Sequence, residues 1–198
     1  MEILYKDDNL IVCIKEIGID SEHEMPALIH EITNSEVYAV HRLDQNVSGV
    51  MVYALNKETA RYLSALISNN ELKKEYVAMV TGTIDEKQGT YEDLIFKDSK
   101  KKKSYVVKRD RKGVKRASLN YDVIGYENNN TIVHILLHTG RYHQIRVQFS
   151  SRQHPLLGDH KYGARDKLKY PMLYSCAISF KYNNEMVRFE SYPDWSKR

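Results

Sequence analysis

The chain has 198 residues, enough for one domain with a real hydrophobic core, and its 42% apolar and 28% charged residues are ordinary for a folded soluble protein. No apolar run is long enough to cross a bilayer, and the opening Met1-Glu2-Ile3-Leu4-Tyr5 lacks the regions of a secretory signal, so a cytoplasmic location is expected. The net charge of +4 is modest, and the two cysteines, Cys13 and Cys176, lie too far apart in sequence for a metal-type pair and read as reduced, buried thiols.

In chain order, a strand is predicted at 10–14, then a short helix at 26–32 with Pro26 in its first turn, then strands at 37–40 and 49–54. A helix at 57–67 places Ala60, Leu63 and Ile67 on one face, with Asn56 before it as N-cap. Strands follow at 74–80 and 91–96. Residues 97–116 then hold 11 Lys/Arg and 2 Asp, whereas the other 178 residues hold 19 Lys/Arg against 24 Asp/Glu. Gly113 offers this run a turn, so it reads either as a basic hairpin reaching toward a phosphate backbone or as a solvated loop. Further strands are predicted at 105–108, 118–124 and 131–137. A helix at 142–151 turns Ile145 and Phe149 toward a core and opens a second basic stretch, 141–169, with 7 Lys/Arg and 2 Asp. Strands at 174–180 and 186–190 complete the chain. Positive charge gathered in two places suits a polyanion with a defined footprint. No repeat or linker interrupts the sequence, so residues 1–198 are expected to form a single domain. Many short strands with few helices predict an α+β fold with a mixed, largely antiparallel sheet and a few flanking helices.

Three segments carry residues suited to chemistry. In His41-Arg42-Leu43-Asp44, an extended backbone turns Arg42 and Asp44 to one side and Leu43 into the core. Taken alone, this is equally an ordinary surface ion pair. Lys74-Glu75-Tyr76 sets one aromatic among charges on a strand. In Gly140-Arg141-Tyr142-His143-Gln144-Ile145-Arg146-Val147, a strand ends where a helix begins, and free backbone N–H groups at such a junction suit phosphate. Arg141 and Arg146 add two permanent charges there. His154-Pro155-Leu156-Leu157-Gly158-Asp159 and Tyr162-Gly163 follow in a turn-rich segment. His134 and His138 share a strand face, but no third ligand has metal-type spacing, so no metal is expected.

These segments, in this order, resemble the motifs of the RluA-type family of RNA pseudouridine synthases. The resemblance runs from about Ile3 to the final strand, with Val47 and Tyr142 standing where the family has threonine. Lys15-Glu16-Ile17-Gly18 lacks the proline usual in the family's opening motif, and the S4 RNA-binding domain of many relatives is not expected here. The resemblance implies a central cleft, no cofactor, a monomer, and a structured RNA partner such as a ribosomal or transfer RNA stem-loop. It implies that Asp44 is the catalytic carboxylate, that Arg146 supplies its countercharge, and that Tyr76 stacks on the target uracil. Arg42 would take the place of the extruded base, and Lys74, Arg141, His143 and Gln144 would join the RNA-binding surface. Two other readings remain beside it: a catalytically silent RNA-binding protein on the same fold, and a nucleoside or glycoside hydrolase in which Asp159 is the second acid.

Overall fold

The computed structural model describes residues 1–196. In chain order its elements are β1 (Ile3–Lys6), β2 (Leu10–Lys15), α1 (Glu24–Thr33), β3 (Tyr38–Ala39), β4 (Ser48–Ala54), α2 (Lys57–Ser68) and β5 (Lys73–Thr81). Then follow β6 (Gln88–Asp98), β7 (Lys103–Val107), β8 (Val114–Glu127), β9 (Asn130–Leu137), α3 (Gln144–Ser150), β10 (Leu173–Tyr182) and β11 (Glu185–Glu190). Tertiary contacts divide the chain into two compact units, one built from Met1–Glu75 with the segment from Tyr174 onward, the other from Tyr76–Leu173. The mixed, mostly antiparallel strand pairing with three helices is the expected α+β class.

In the first unit the strands lie in the order β1-β2-β4-β10, with β11 on β10 and β3 on β4. Only the β4·β10 pairing is parallel, at Tyr174↔Ser48 and Ser175↔Gly49. This close approach demands glycine: Gly49 has φ +130, and a Cβ there would lie 2.3 Å from the Ser175 carbonyl oxygen. Leu10, Val12, Val50, Val52 and Ala54 pack with Leu63 and Leu66 of α2 and with Ile178 and Phe180 of β10. Asn56 caps α2 as expected, its Oδ1 accepting the Thr59 N–H at 2.9 Å. Helix α1 begins two residues earlier than predicted, which leaves Pro26 in the first turn, where no backbone N–H is needed. The strand expected at 37–40 is shorter for a specific reason. After Tyr38↔Ala54 and Ala39↔Tyr53 the ladder stops, and the His41 Nε2 accepts the Val52 N–H at 3.1 Å in place of a backbone carbonyl.

In the second unit the order is β5-β9-β8-β6-β7, so β6 is flanked by β8 and β7. Asn128 and Asn129, both with positive φ, turn β8 into β9 as a tight hairpin. Tyr91, Tyr121 and Phe149 form a ring cluster with centroids 4.8 to 5.8 Å apart, which fastens α3 to β6 and β8. The basic run is ordered: β7 pairs with β6 from Leu94↔Val107 to Asp98↔Lys103. Helix α3 starts at Gln144 rather than at residue 142, because His143 takes a left-handed conformation, φ 54, and residues 141–143 form a turn.

Candidate active site

The residues singled out in the sequence are distributed over both units. Arg42, Asp44 and Lys74 belong to the first, and Tyr76, Arg141, His143, Gln144 and Arg146 to the second.

In the first unit, Leu43 is buried, Arg42 is exposed and Asp44 is half-buried, which is the alternation an extended segment requires. The backbone here is held from several directions. Ser21 Oγ donates to the Leu43 carbonyl at 3.0 Å and accepts the Leu43 N–H at 3.2 Å. The Asp44 carbonyl accepts the Val47 N–H at 2.9 Å, closing the turn. Gln45 and Gly18 exchange two hydrogen bonds of 2.8 Å, Gly18 N–H to the Gln45 carbonyl and Gln45 Nε2 to the Gly18 carbonyl.

Lys15, which is fully buried, finishes this clamp. Its Nζ donates to the carbonyls of Glu16 at 2.9 Å, Ile19 at 3.0 Å and Gln45 at 3.3 Å. Burial pushes the ammonium down to about 8, and the negative charge of Asp44 is the largest influence opposing that fall. A cation thus stands under the loop of the candidate acid.

His41, half-buried as a residue, is the second desolvated ionisable group of the segment. Desolvation, with the Lys74 charge second, pulls it down to about 3, so the ring is neutral near pH 7. Because Nε2 accepts the Val52 N–H, the ring proton resides on Nδ1, which is shielded from solvent and has no hydrogen-bond partner among the described residues. Lys74 is itself half-buried, and desolvation lowers its pKa. Arg42 makes an ion pair with Glu22 at 2.7 Å on the surface, where such pairs contribute little.

In the second unit, Arg146 is 6% exposed on α3 and grips Asp159 in two-pronged fashion, Nε to Oδ2 at 2.7 Å and Nη2 to Oδ1 at 2.8 Å. Asp159 is 1% exposed, and its own carbonyl accepts the N–H groups of Tyr162 and Ala164. Gly158 before it, φ +77, has no room for a side chain, since a Cβ would lie 1.9 Å from the Tyr170 carbonyl oxygen. The Arg146 guanidinium also lies 5.1 Å from the Tyr162 ring centre, and the Tyr162 hydroxyl shares a 2.9 Å hydrogen bond with His143 Nδ1. Asp159, considered from sequence as a second acid, is therefore the anchor of Arg146.

Gln144 is buried and has its amide committed inside the unit. Its Oε1 accepts from Thr139 Oγ1 at 2.7 Å and from the Arg141 N–H at 3.0 Å, and its Nε2 donates to the Ser118 carbonyl at 3.1 Å. Of the backbone N–H groups at this junction, that of Arg141 is thus already taken. Gln144 and the buried His143 hold the turn, while Arg141 extends to the Arg116 carbonyl at 2.8 Å beside the basic strands. Tyr142, which replaces the expected threonine, stacks on His143 with centroids 3.8 Å apart, and Ser104 Oγ donates to its carbonyl. Tyr76 is buried at the unit's first position in β5. Among the described residues no cluster of three or more His, Cys, Asp or Glu is arranged to hold a metal ion, and no helix is long and apolar enough to cross a membrane.

The fold is that of the RNA pseudouridylate synthases: the structure of human RNA pseudouridylate synthase domain containing 1 matches with a TM-score of 0.84 at 22% identity, covering 97% of this chain and 83% of that one. Residues 4–151 match the RNA pseudouridylate synthase family, and the chain belongs to it. An uncharacterized RNA pseudouridine synthase of Haemophilus influenzae is 30% identical over 98% of this chain and 88% of its own length. The tRNA pseudouridine synthase C of Haemophilus ducreyi is 31% identical over 82% of this chain and 74% of its own. The family's enzymes are isomerases of RNA, and the RluA-type resemblance read from the motifs agrees with these matches.

Proposed function

We propose that this chain isomerises specific uridines in a ribosomal or transfer RNA stem-loop, that it does so as a cytoplasmic monomer without cofactor or metal, and that Asp44 is the catalytic carboxylate. In this reaction the N1–C1′ bond breaks, the uracil turns, and C5 bonds to C1′ as its hydrogen leaves. Asp44 acts on the sugar or the base as nucleophile or base. Arg146, with two of its nitrogens fixed by Asp159, is the countercharge that the family resemblance assigns to Asp44, and Tyr76 offers its ring to the extruded uracil. Arg42 fills the space the base leaves. Arg141 and Lys74 bind phosphates; His143 and Gln144 serve this surface by shaping the Arg141 turn.

The observation that carries this reading is the seating of the backbone on both sides of Asp44, at Leu43 by buried Ser21 and at Gln45 by buried Lys15, since a loop with no chemical duty has no need of a buried ammonium beneath it. The two-pronged Arg146–Asp159 pair speaks against the hydrolase reading, because it removes the second acid which that reaction uses. The test uses RNA carrying tritium at uridine C5. Wild-type protein releases tritium from substrate RNA and Asp44→Asn releases none. Equal release by the two proteins, or free uracil among the products, refutes the proposal.

A further inference from the structure

The β8-β6-β7 end of the second unit has two unlike faces. Residues directly paired across neighbouring strands share a face. One face turns Ile95, Val106 and Ala117 onto Val147 of α3 and Tyr162. The register places Phe96 between Tyr105 and Val114 on the opposite face, with Leu94 between Val107 and Arg116 in the next row. None of these five apolar side chains is buried, and Tyr105 is 36% exposed. The Arg111 guanidinium lies 5.0 Å from the Phe96 ring centre, and Lys103 Nζ lies 5.8 Å from the Tyr105 ring. Of the two acids in this +9 segment, Asp98 is spent in the β6–β7 turn, where its Oδ1 accepts the Lys101 N–H at 3.0 Å.

A water-facing sheet surface of two aromatic and three aliphatic side chains costs solubility unless something covers it. Arginine and lysine at its rim exclude a basic or purely apolar partner and match phosphate. Double-stranded RNA shows sugars and phosphates to a flat surface, whereas unpaired bases show ring faces. Neighbouring strands are about 4.8 Å apart, so Phe96 and Tyr105 stand side by side at a spacing that successive unstacked nucleotides span.

We propose that this outer face is a second RNA-binding site, taking a short unpaired segment of the RNA with bases stacked on Phe96 and Tyr105 and phosphates held by Lys103, Arg111 and Arg116. The proposal rests on the RNA-modifying reading above and adds a recognition element to it: the substrate carries single-stranded nucleotides outside the target uridine. None of these five residues belongs to the catalytic set.

The test uses the full chain and a short, unstructured, dye-labelled RNA without uridine, so that no target base is offered. The expected result is that Tyr105→Thr and Phe96→Leu each weaken binding about tenfold with an unchanged salt dependence. Arg111→Ala weakens it while reducing the salt slope by about one. A duplex of equal length loses nothing in the ring variants. Thermal unfolding of Tyr105→Thr, at an exposed position, separates binding from folding should Phe96→Leu destabilise the sheet. The proposal is overturned if both ring variants bind like wild type, if duplex binding falls equally, or if wild type forms dimers through this face that Tyr105→Thr abolishes without affecting RNA binding. Tritium release distinguishes the two levels. At saturating RNA the ring variants keep the wild-type kcat and show a raised KM only on substrates with unpaired flanks. Release by wild type with no ring effect sinks this proposal alone, and ring-dependent binding without any release sinks the parent reading alone.

Discussion

Asp159→Asn tests how the second unit's arginine is held. The substitution keeps the side-chain volume and one acceptor oxygen but removes the charge opposite Arg146, whose side chain is 7% exposed against 1% for Asp159. A buried guanidinium that loses the carboxylate gripping two of its nitrogens is poorly compensated, and breaking a buried pair from one side costs about 3–5 kcal/mol. Asparagine still accepts one hydrogen bond, so the lower end, about 3 kcal/mol, applies. With a urea m-value of about 2 kcal/mol/M, the unfolding midpoint falls by about 1.5 M. The catalytic effect is separate. Nε and Nη2 both rest on the carboxylate, so its loss lets the guanidinium rotate, and a displacement on the order of 1 Å lowers kcat about 100-fold while KM for RNA changes little. Urea unfolding followed by fluorescence gives the first quantity and tritium release at saturating RNA the second. Arg146→Met with Asp159→Leu separates stability from catalysis: a buried pair replaced by apolar groups is nearly neutral for folding, so the double variant regains most of the stability and stays inactive. If Asp159→Asn unfolds within about 0.5 kcal/mol of wild type, the pair is not desolvated as described and the positioning argument fails.

His41 makes the protein acid-sensitive in a defined window. Its folded pKa of about 3 lies below the value near 6.5 of the free side chain, so the unfolded chain binds the proton first, and stability is lost as pH falls from about 6.5 toward 3. By pH 4 this amounts to about 3 kcal/mol, which His41→Gln, keeping an acceptor for the Val52 N–H but unable to ionise, recovers in urea titrations at pH 4 and 7.5. Parallel pH dependence of the two proteins would show that the ring is not held neutral. Gly49→Ala drives a methyl group into the Ser175 carbonyl and costs about 3 kcal/mol or more, whereas Gly18→Ala, with φ +95 and nothing within 4 Å of its Cβ, costs only the backbone strain of about 1–2 kcal/mol. Thermal unfolding of both variants checks the contrast, and equal losses would mean that strain, not the β4·β10 approach, sets the requirement at Gly49.

Much of this was legible in the sequence because hydrophobic alternation and helix caps are local. The period-2 strands and the Asn56 cap of α2 appear where the pattern puts them. Departures arise where a side chain from elsewhere replaces backbone pairing. His41 ends β3 early by taking the Val52 N–H, and the left-handed His143 delays α3 to Gln144. Neither event has a sequence signal at the residue concerned. The basic run shows the limit of composition: eleven cations suggest a solvated loop or a hairpin, and only the register with β6 shows that Phe96, Tyr105 and Val114 share one face. Two asparagine pairs with positive φ, Asn128-Asn129 and Asn183-Asn184, were readable hairpin signals that the strand pattern alone left unused.

The charged residues of the motifs divide by what they cost the fold. Arg42 is exposed and Asp44 only half-buried, so neither costs the fold what a fully buried charge does. Lys15, Asp159 and Arg146 are buried, and each charge is tolerated only because several groups converge on it: three carbonyls on Lys15, a two-pronged grip between Arg146 and Asp159. Apolar side chains of the same volume would stabilise either unit at less risk. In each unit, the groups that converge on a buried charge also fix its orientation. In the second unit Gly158 gives Asp159 its place and Asp159 aims Arg146; in the first, Lys15 with Ser21 fixes the loop that carries Asp44.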